Sequence, residues 1–234
     1  MRDSWRHFAA EFTGIFALVF VGGASIMSAT MSNINPLLVA AIAHGLILAI
    51  MVSATMRISG HLNPAVTIGF LVTKRIEPTM AVIYIIAQLL GATVGAYALK
   101  AVFPAHVAIA AHYGGQSVSG DIGMLQAILC EAIATFFLVF VVFGTAVDPA
   151  APKVGGFAIG LAVTADILAI GTRTGASMNP ARSLGPAVVS GSFEGHAVYW
   201  IGPIIGAVAA ALLYDMLFLR RGKEPASHGP IDPV

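Results

Sequence analysis

Six long apolar runs make up most of the chain, and they restrict its fold more than any other feature. By residue number the runs are 8–31, 36–56, 78–102, 123–147, 154–170 and 196–219. Most are near or above the roughly 20 residues that a helix needs to cross a bilayer. Only 10% of the residues are charged, whereas soluble domains have about 25%, so the chain cannot cover a soluble surface. The sequence therefore predicts an all-α membrane protein with six transmembrane helices.

Basic residues mark one side of the predicted membrane. Nine of the twelve Lys and Arg residues fall in the two tails and in the second and fourth connections: Arg2, Arg6, Arg57, Lys74, Arg75, Lys153, Arg220, Arg221 and Lys223. The positive-inside rule makes this side cytoplasmic, with both termini on it. The first run contains Glu11 and lacks a small-residue cleavage site, so it is predicted to be retained. We expect a multi-pass protein of the cell membrane (plasma or inner) with a flexible tail at 223–234.

The two halves of the chain align with each other. AEFTGIFALVF in the first half resembles CEAIATFFLVF in the second, which puts Glu11 and Glu131 in the same place. Each half has three spans and an Asn-Pro-Ala triplet after the second span. Because three is odd, the second half crosses the membrane in the opposite sense. The result is an inverted repeat of 1–116 and 117–222, a pattern that commonly builds transport sites at the bilayer midplane.

Each Asn-Pro-Ala triplet predicts the start of a short helix, because Asn is a favoured N-cap and Pro suits the first helical position. The stretches 64–72 and 180–188 are about two turns each, too short to span. We expect two re-entrant half-helices that enter from opposite faces and meet at their N-termini. Non-helical backbone at that depth must be satisfied by protein or water. The triplets consist of Asn63, Pro64, Ala65, Asn179, Pro180 and Ala181.

The facing N-termini predict a path for water that rejects cations. A helix N-terminus carries roughly half a positive elementary charge, so two of them oppose the passage of a proton or metal ion. Each asparagine caps its helix through the side-chain oxygen, which leaves its NH2 group free to donate into the path. A water molecule held by both donors cannot take part in a continuous proton relay.

Four ionisable residues in the spans and half-helices have competing interpretations. Glu11 and Glu131 are candidate proton-relay acids, but their paired occurrence favours a structural role as acceptors for the backbone of the re-entrant loops. Asp166 has two candidate partners, Arg173 or loop backbone. Arg182 follows the start of the second half-helix, which favours a place on the path over one at the membrane interface.

Together these features resemble the aquaporin (major intrinsic protein) family over residues 8–219. The residues that carry the resemblance are the two triplets, the paired glutamates, ISGHLNPAVT and TGASMNPARSLGPA. The resemblance implies an aquaporin-like fold and a homotetramer of separately conducting subunits. It also implies a passive transmembrane channel for water, with ammonia as a second candidate solute, that excludes protons and ions.

The resemblance also implies which residues form the pore. The constriction consists of His44, Ile167, Ala176 and Arg182. Carbonyl acceptors come from Gly60, His61, Gly175, Ala176 and Ser177, and apolar wall comes from Leu18, Val66 and Leu138. Strict water channels usually have Phe and His where this chain has His44 and Ile167. The set is similar to that of plant vacuolar-membrane members, many of which pass ammonia. His44 offers an imidazole that titrates near neutral pH, and His106 matches a loop histidine of some ammonia-passing members.

Other functions are less favoured. Ser183, Ala187, Tyr199 and Trp200 stand where glycerol-conducting members have other residues. A broader facilitator of ammonia, urea, hydrogen peroxide or glycerol remains the main alternative. A secondary transporter ranks lower, because the triplets offer donors and a fixed cation but no carboxylate. The sequence contains no catalytic, cofactor or metal-binding pattern and no sign of nucleic-acid binding, so the expected partners are water, small neutral solutes and lipid.

Overall fold

The computed structural model describes residues 2–152 and 154–219, and within them the regular structure is helical. The helices are α1 (Arg2–Met31), α2 (Pro36–Thr55), α3 (Pro64–Val72), α4 (Pro78–Val102), α5 (Ala105–Ala110), α6 (Met124–Val142), α7 (Phe157–Thr174), α8 (Pro180–Ser190) and α9 (Val198–Tyr214). Single π-turns at Phe143–Val147 and Asp215–Leu219 prolong α6 and α9. Six helices are long and apolar enough to cross a bilayer, which confirms the predicted number of spans.

Several predicted features lie outside the described residues. They are the side chain of Arg2, the residues Lys153, Arg220, Arg221 and Lys223, and the tail at 223–234. Among the described basic residues, Arg57 follows α2, whereas Lys74 and Arg75 follow α3. Arg75 forms an ion pair of 2.8 Å with Asp215, which ties the end of α3 to the end of the last span.

The fifth span begins and ends later than its apolar run predicts. α7 starts at Phe157 because Gly155 turns the preceding chain with φ of 57°, a conformation that glycine adopts without a Cβ clash. The helix continues through Thr174 and ends where Gly175 takes a left-handed cap with φ of 77°. The apolar run misses the last turn because that turn carries Arg173.

The second half-helix is longer than the predicted 180–188. α8 extends to Ser190 and ends at Gly191, whose φ of 74° closes it with a left-handed cap. Pro186 lies inside α8 without ending it. Because α8 begins at Pro180, Pro186 falls in the second turn, and only one backbone hydrogen bond is lost.

Each half-helix packs against the other half of the chain. α1 packs along α4 and α6 packs along α9, the equivalent pairs of the two halves, and α2 packs along α7 between them. α3 contacts α9, and α8 contacts α4. Because each half-helix packs against a span of the opposite half, the two half-helices meet in the interior, as the inverted repeat predicts.

Pairs of glycines at a spacing of four lie where the long helices come closest. Gly91 and Gly95 face α1, and a Cβ on Gly95 would lie 3.0 Å from the Phe16 carbonyl oxygen. Gly202 faces α6, where a Cβ would lie 2.7 Å from the Ile128 carbonyl oxygen. Gly156 and Gly160 face α2 in the same way. A larger residue would push these backbones apart, so small residues set the helix spacing.

The outer surface of the bundle is apolar. On α2, Leu38, Ile42, Leu46 and Ile50 repeat every four residues, and each is 44–59% exposed. An exposed stripe of this size is unfavourable in water but suits lipid or a neighbouring subunit. The chain is therefore an integral, multi-pass membrane protein.

Candidate functional site

Both half-helices begin at an asparagine cap in the interior of the bundle. The side-chain oxygen of Asn63 accepts from the Ala65 N–H at 2.9 Å, and that of Asn179 accepts from the Ala181 N–H at 3.1 Å. Both asparagines have extended backbone and are at most 4% exposed. Proline follows each at the first helical position, where the missing N–H is no loss. The triplets thus fix where each half-helix starts.

The two caps are tied to each other across the point where the half-helices meet. Asn63 Nδ2 donates to the Met178 carbonyl at 2.8 Å, and Asn179 Nδ2 donates to the Leu62 carbonyl at 2.8 Å. The expectation that both NH2 groups stay free is therefore wrong in part. Each amide uses one N–H on the opposite loop and keeps one. Because both asparagines line the central cavity, the remaining two N–H groups are available to a molecule there.

Two buried glutamates accept hydrogen bonds from the loops that precede the caps. Glu11 accepts from the N–H groups of residues 60, 61 and 62 at 2.7–2.9 Å, and from Gln88 Nε2 at 2.7 Å. Glu131 accepts from the N–H groups of residues 177 and 178 at 2.7–2.9 Å, and from the Thr174 hydroxyl at 2.6 Å. Carboxylates with this many donors are suited to hold loops in place rather than to relay protons.

The same loops contain left-handed backbone at residues that have side chains. Leu62 and Met178, each directly before a cap, have φ of 50° and 55°, and Ala176 has φ of 46°. Such a conformation costs an L-residue about 1–2 kcal/mol, and the hydrogen bonds to Glu11 and Glu131 offset that cost. The geometry places the Leu62 and Met178 carbonyls against the opposite caps.

Four of the residues assigned as carbonyl acceptors line the central cavity: Gly60, His61, Ala176 and Ser177. The His61 ring lies against Phe70, with a centroid distance of 4.2 Å, and its Nδ1 is 3.2 Å from the Thr67 hydroxyl. Gly175 serves a different purpose. It caps α7, and a Cβ on it would lie 2.8 Å from the Gln116 side chain, so it packs instead on the segment 111–123 that connects α5 to α6, the outer loop.

The four residues assigned to the constriction come together around the same cavity. His44 lies on α2, Ile167 on α7 and Arg182 on α8, and Ala176 lies in the loop 175–179 that precedes α8, the second loop. All four line the cavity, and each is at most 5% exposed. Arg182 Nη2 lies 3.0 Å from His44 Nε2, and His44 Nδ1 lies 2.7 Å from the Ala40 carbonyl oxygen. A guanidinium can only donate, so Nε2 accepts and Nδ1 carries the hydrogen. The ring is therefore neutral in this arrangement, contrary to the titrating imidazole expected from the sequence.

Arg182 keeps two further donors for the cavity. Its Nε and Nη1 atoms are buried and have no hydrogen-bond partner among the described residues. The cavity measures about 30 Å³, and since one water needs roughly 10–15 Å³, it holds only a few waters. The rest of the wall is mainly apolar and is lined by Leu18, Leu48, Val52, Val66, Leu138, Val142, Ile159, Val163 and Ile167.

Two functional contacts escaped the sequence analysis. Gly22 makes room for the His44 ring, since a Cβ there would lie 2.6 Å from His44 Cε1. The outer loop reaches the site through Gln116, whose Oε1 accepts from the Ser183 hydroxyl at 2.6 Å. His106, matched from the sequence to a loop histidine of ammonia-passing members, is exposed on α5. The adjacent glycines Gly22 and Gly23 are a sequence signal for a close contact at this point of α1. No local sequence pattern marks Gln116 as a contact of the site.

The proposed pairing of Asp166 with Arg173 is wrong. Arg173 forms an ion pair with Asp121 at the outer surface, where Ser119 also contacts the same carboxylate. The hydrogen bond from Ser119 and the pair with Arg173 hold the pKa of Asp121 below its ordinary value. Arg173 points outward because it lies in the last turn of α7, whereas Asp166 lies two turns deeper in the bundle.

Comparisons with known proteins agree with this geometry. The family model described as "Major intrinsic protein" matches residues 1–214. Aquaporin TIP4-4 of Zea mays is 41% identical over 237 residues, which cover 97% of this chain and 92% of the relative. Aquaporin TIP2-1 of Arabidopsis thaliana is 43% identical over 226 residues, covering 92% and 88%.

A solved structure has the same fold. The aquaglyceroporin from Plasmodium falciparum superimposes with a TM-score of 0.79 at 26% identity, and the match covers 92% of this chain and 96% of that one. The family model and the relatives both extend over nearly the whole chain, including both triplets and both glutamates. The chain belongs to the major intrinsic protein family.

Proposed function

We propose that the chain is a passive channel that conducts water across a membrane and excludes protons and other ions. The observation that carries this proposal is the central cavity, in which Asn63, Asn179 and Arg182 offer N–H donors opposite an apolar wall. Water exchanges hydrogen bonds along such a line of donors without binding tightly at any point. As a member of its family the chain is a channel and not an enzyme, and the similar TIP proteins are aquaporins.

Exclusion of cations follows from the charges around the cavity. The N-termini of α3 and α8 point their partial positive charges at its middle, and Arg182 adds a full charge. None of the described residues that line the cavity is a carboxylate, and Glu11 and Glu131 are occupied by loop donors. A cation in the cavity therefore meets repulsion without a counter-charge, which also disfavours a proton-coupled or ion-coupled transporter.

The constriction supports ammonia as a second solute. His44, Ile167, Ala176 and Arg182 form the ring, with Ile167 in a place where strict water channels usually have a polar ring member. Ammonia needs a donor for its lone pair, which Arg182 supplies, and it tolerates an apolar wall. Glycerol is larger, and the bond between His44 and Arg182 at 3.0 Å keeps the ring small enough to hinder it. The backbone carbonyls of Gly60, His61, Ala176 and Ser177 would accept from either solute.

The surroundings of the channel are part of the same proposal. The apolar outer stripes would be covered by lipid and by neighbouring copies in a homotetramer, and both termini would be cytoplasmic. The expectation of a plasma or inner membrane is not kept, because the similar relatives are TIP aquaporins and the constriction is similar to that of vacuolar-membrane members.

The experiment is osmotic shrinkage of liposomes that contain the purified protein, followed by light scattering after mixing with sucrose, glycerol, urea or ammonium. We expect water permeability well above that of empty liposomes, with a low activation energy, and glycerol permeability at background. Water permeability equal to that of empty liposomes, for protein that is folded by circular dichroism, would contradict the proposal. Rapid glycerol entry would instead favour the alternative function, a broader facilitator of small neutral solutes.

A further inference from the structure

Three buried carboxyl groups lie within the described spans, and one of them differs from the others. Glu11 accepts four hydrogen bonds and Glu131 accepts three. Asp166 is 8% exposed, its Oδ2 atom is fully buried, and no hydrogen bond or ion pair reaches it from the described residues. A buried carboxylate without a donor or counter-charge costs several kcal/mol, so such a group is stable only when it carries a proton.

Asp166 lies beside the pore wall. Val163 and Ile167 line the cavity, and Gly160 faces α2. At 100° per residue, position 166 lies on the opposite flank of the cavity stripe from Gly160, so the side chain is directed toward α6. Asp166 therefore precedes the constriction residue Ile167 in sequence and lies in the contact between α6 and α7.

The ionisable groups that face this place do not favour a negative charge on Asp166. α6 contributes Glu131, an acidic group already bonded to its loop, and Cys130, which is partly exposed. α2 contributes His44, whose ring is neutral and bonded at both nitrogens. Arg182 on α8 donates to His44, and Arg173 at the end of α7 is paired with Asp121.

We propose that Asp166 is a proton-binding site that controls the position of Ile167, and through it the flow of water. This inference rests on the proposed water channel. With a proton bound, Asp166 remains in the apolar contact between α6 and α7, and the pore wall keeps the form described above. When the proton leaves, the carboxylate requires hydration, and the nearest water is in the cavity one residue away. The turn at 166–167 then moves toward the cavity, and the hydrated carboxylate narrows the passage.

The test is water permeability of protein-containing liposomes from acid to alkaline pH for wild type, Asp166→Asn and the control Asp121→Asn. Asparagine keeps the shape and cannot ionise. We expect wild type and Asp121→Asn to lose most of their water permeability reversibly at alkaline pH. Asp166→Asn should keep the acid-pH permeability throughout. If Asp166→Asn shows the same alkaline loss as wild type, or if wild type shows no loss, the proposal is overturned.

Infrared spectroscopy of the wild-type protein keeps the proposal testable even if Asp166→Asn does not fold. A protonated carboxylic acid has a C=O stretch distinct from that of a carboxylate. We expect one such band at neutral pH, shielded from fast exchange, that disappears reversibly at alkaline pH. Absence of the band at neutral pH would overturn the proposal. This readout does not depend on conduction, so a failure of the water channel itself is distinguished by permeability at background at every pH.

Discussion

Arg182 combines a fixed charge with donors that no other described residue satisfies. Replacing it with Val removes a full positive charge next to the path. Two unit charges 4 Å apart interact by about 1 kcal/mol in bulk water and by about 4 kcal/mol at an effective dielectric constant of about 20. We therefore expect proton or small-cation leak to rise about tenfold or more, because each 1.4 kcal/mol corresponds to about tenfold, while water still passes. The measurement is dissipation of a pH gradient across liposomes.

Arg173→Val is the matched control for Arg182→Val. Arg173 is half exposed and paired with Asp121 at the surface, so its removal should leave the leak at the wild-type level. A leak from Arg182→Val no greater than that from Arg173→Val would show that the half-helices alone exclude cations.

Selectivity for ammonia should depend on His44 and Ile167. In the double variant His44→Phe with Ile167→His, the phenyl ring at position 44 has no nitrogen to accept from Arg182. At position 167 a polar imidazole replaces the apolar side chain. We expect ammonia flux to fall several times more than water flux, measured as internal alkalinisation of liposomes after an ammonium pulse. Equal alkalinisation by wild type and the double variant would remove these two residues from the account of selectivity.

At the residue scale, the sequence predicted what depends on local signals. Asn63 and Asn179 cap their helices as N-cap preference indicates, and Arg182 follows the second cap directly. The sharing of each Asn amide with the opposite loop could not be predicted, because Leu62 and Met178 acquire their carbonyl directions only from left-handed backbone. The neutral state of His44 likewise depends on the guanidinium of Arg182, far away in sequence.

Among the elements, the second loop and α8 are held by a chain of side-chain hydrogen bonds. Gln116 Oε1 accepts from Ser183, and the Ser183 hydroxyl lies 2.5 Å from the Ser177 hydroxyl. Loss of a buried hydrogen bond costs about 1–3 kcal/mol when a partner is left unsatisfied. We expect Gln116→Ala and Ser183→Ala each to lower the unfolding free energy by about that amount, measured by denaturation in detergent.

The double variant gives the sharper test of this contact. If Gln116 and Ser183 act through each other, the double variant should lose clearly less than the sum of the single variants. Ser190→Ala is the control, since the Ser190 hydroxyl bonds only to nearby backbone: it donates to the Ala187 carbonyl and accepts from the Ser192 N–H. Additive effects would show that the outer loop does not hold α8 through this pair.

The elements themselves were largely predictable. Apolar runs give the six spans because lipid demands about 20 apolar residues per crossing, and the two triplets locate α3 and α8. The ends of α7 and α8 were not predictable from hydropathy, since they are set by left-handed glycines at 155, 175 and 191. α5 and the outer loop were missed as well. α5 packs on α1 and α4, and residues 112–114 contact α8 from the other half of the chain, so these contacts leave no local pattern.

In the whole molecule, the pore exists only because the two halves interlock. α3 packs on α9 and α8 packs on α4, so the cavity wall takes residues from both halves of the chain. Its donors come from the half-helices and their caps, and its apolar side comes from the spans together with Val66 of α3. A water path along this cavity is the central claim, and it predicts that one bulky side chain on the wall stops conduction while a similar change on the outer surface does not.

Osmotic water permeability of Val163→Trp, compared with Leu161→Trp, tests that claim most directly. Val163 lines the cavity from α7 and is 6% exposed, whereas Leu161 is on the outer face of the same helix and is 51% exposed. We predict that Val163→Trp lowers water permeability to that of empty liposomes and that Leu161→Trp remains close to wild type. Water permeability of folded Val163→Trp equal to that of wild type would contradict a path through this cavity.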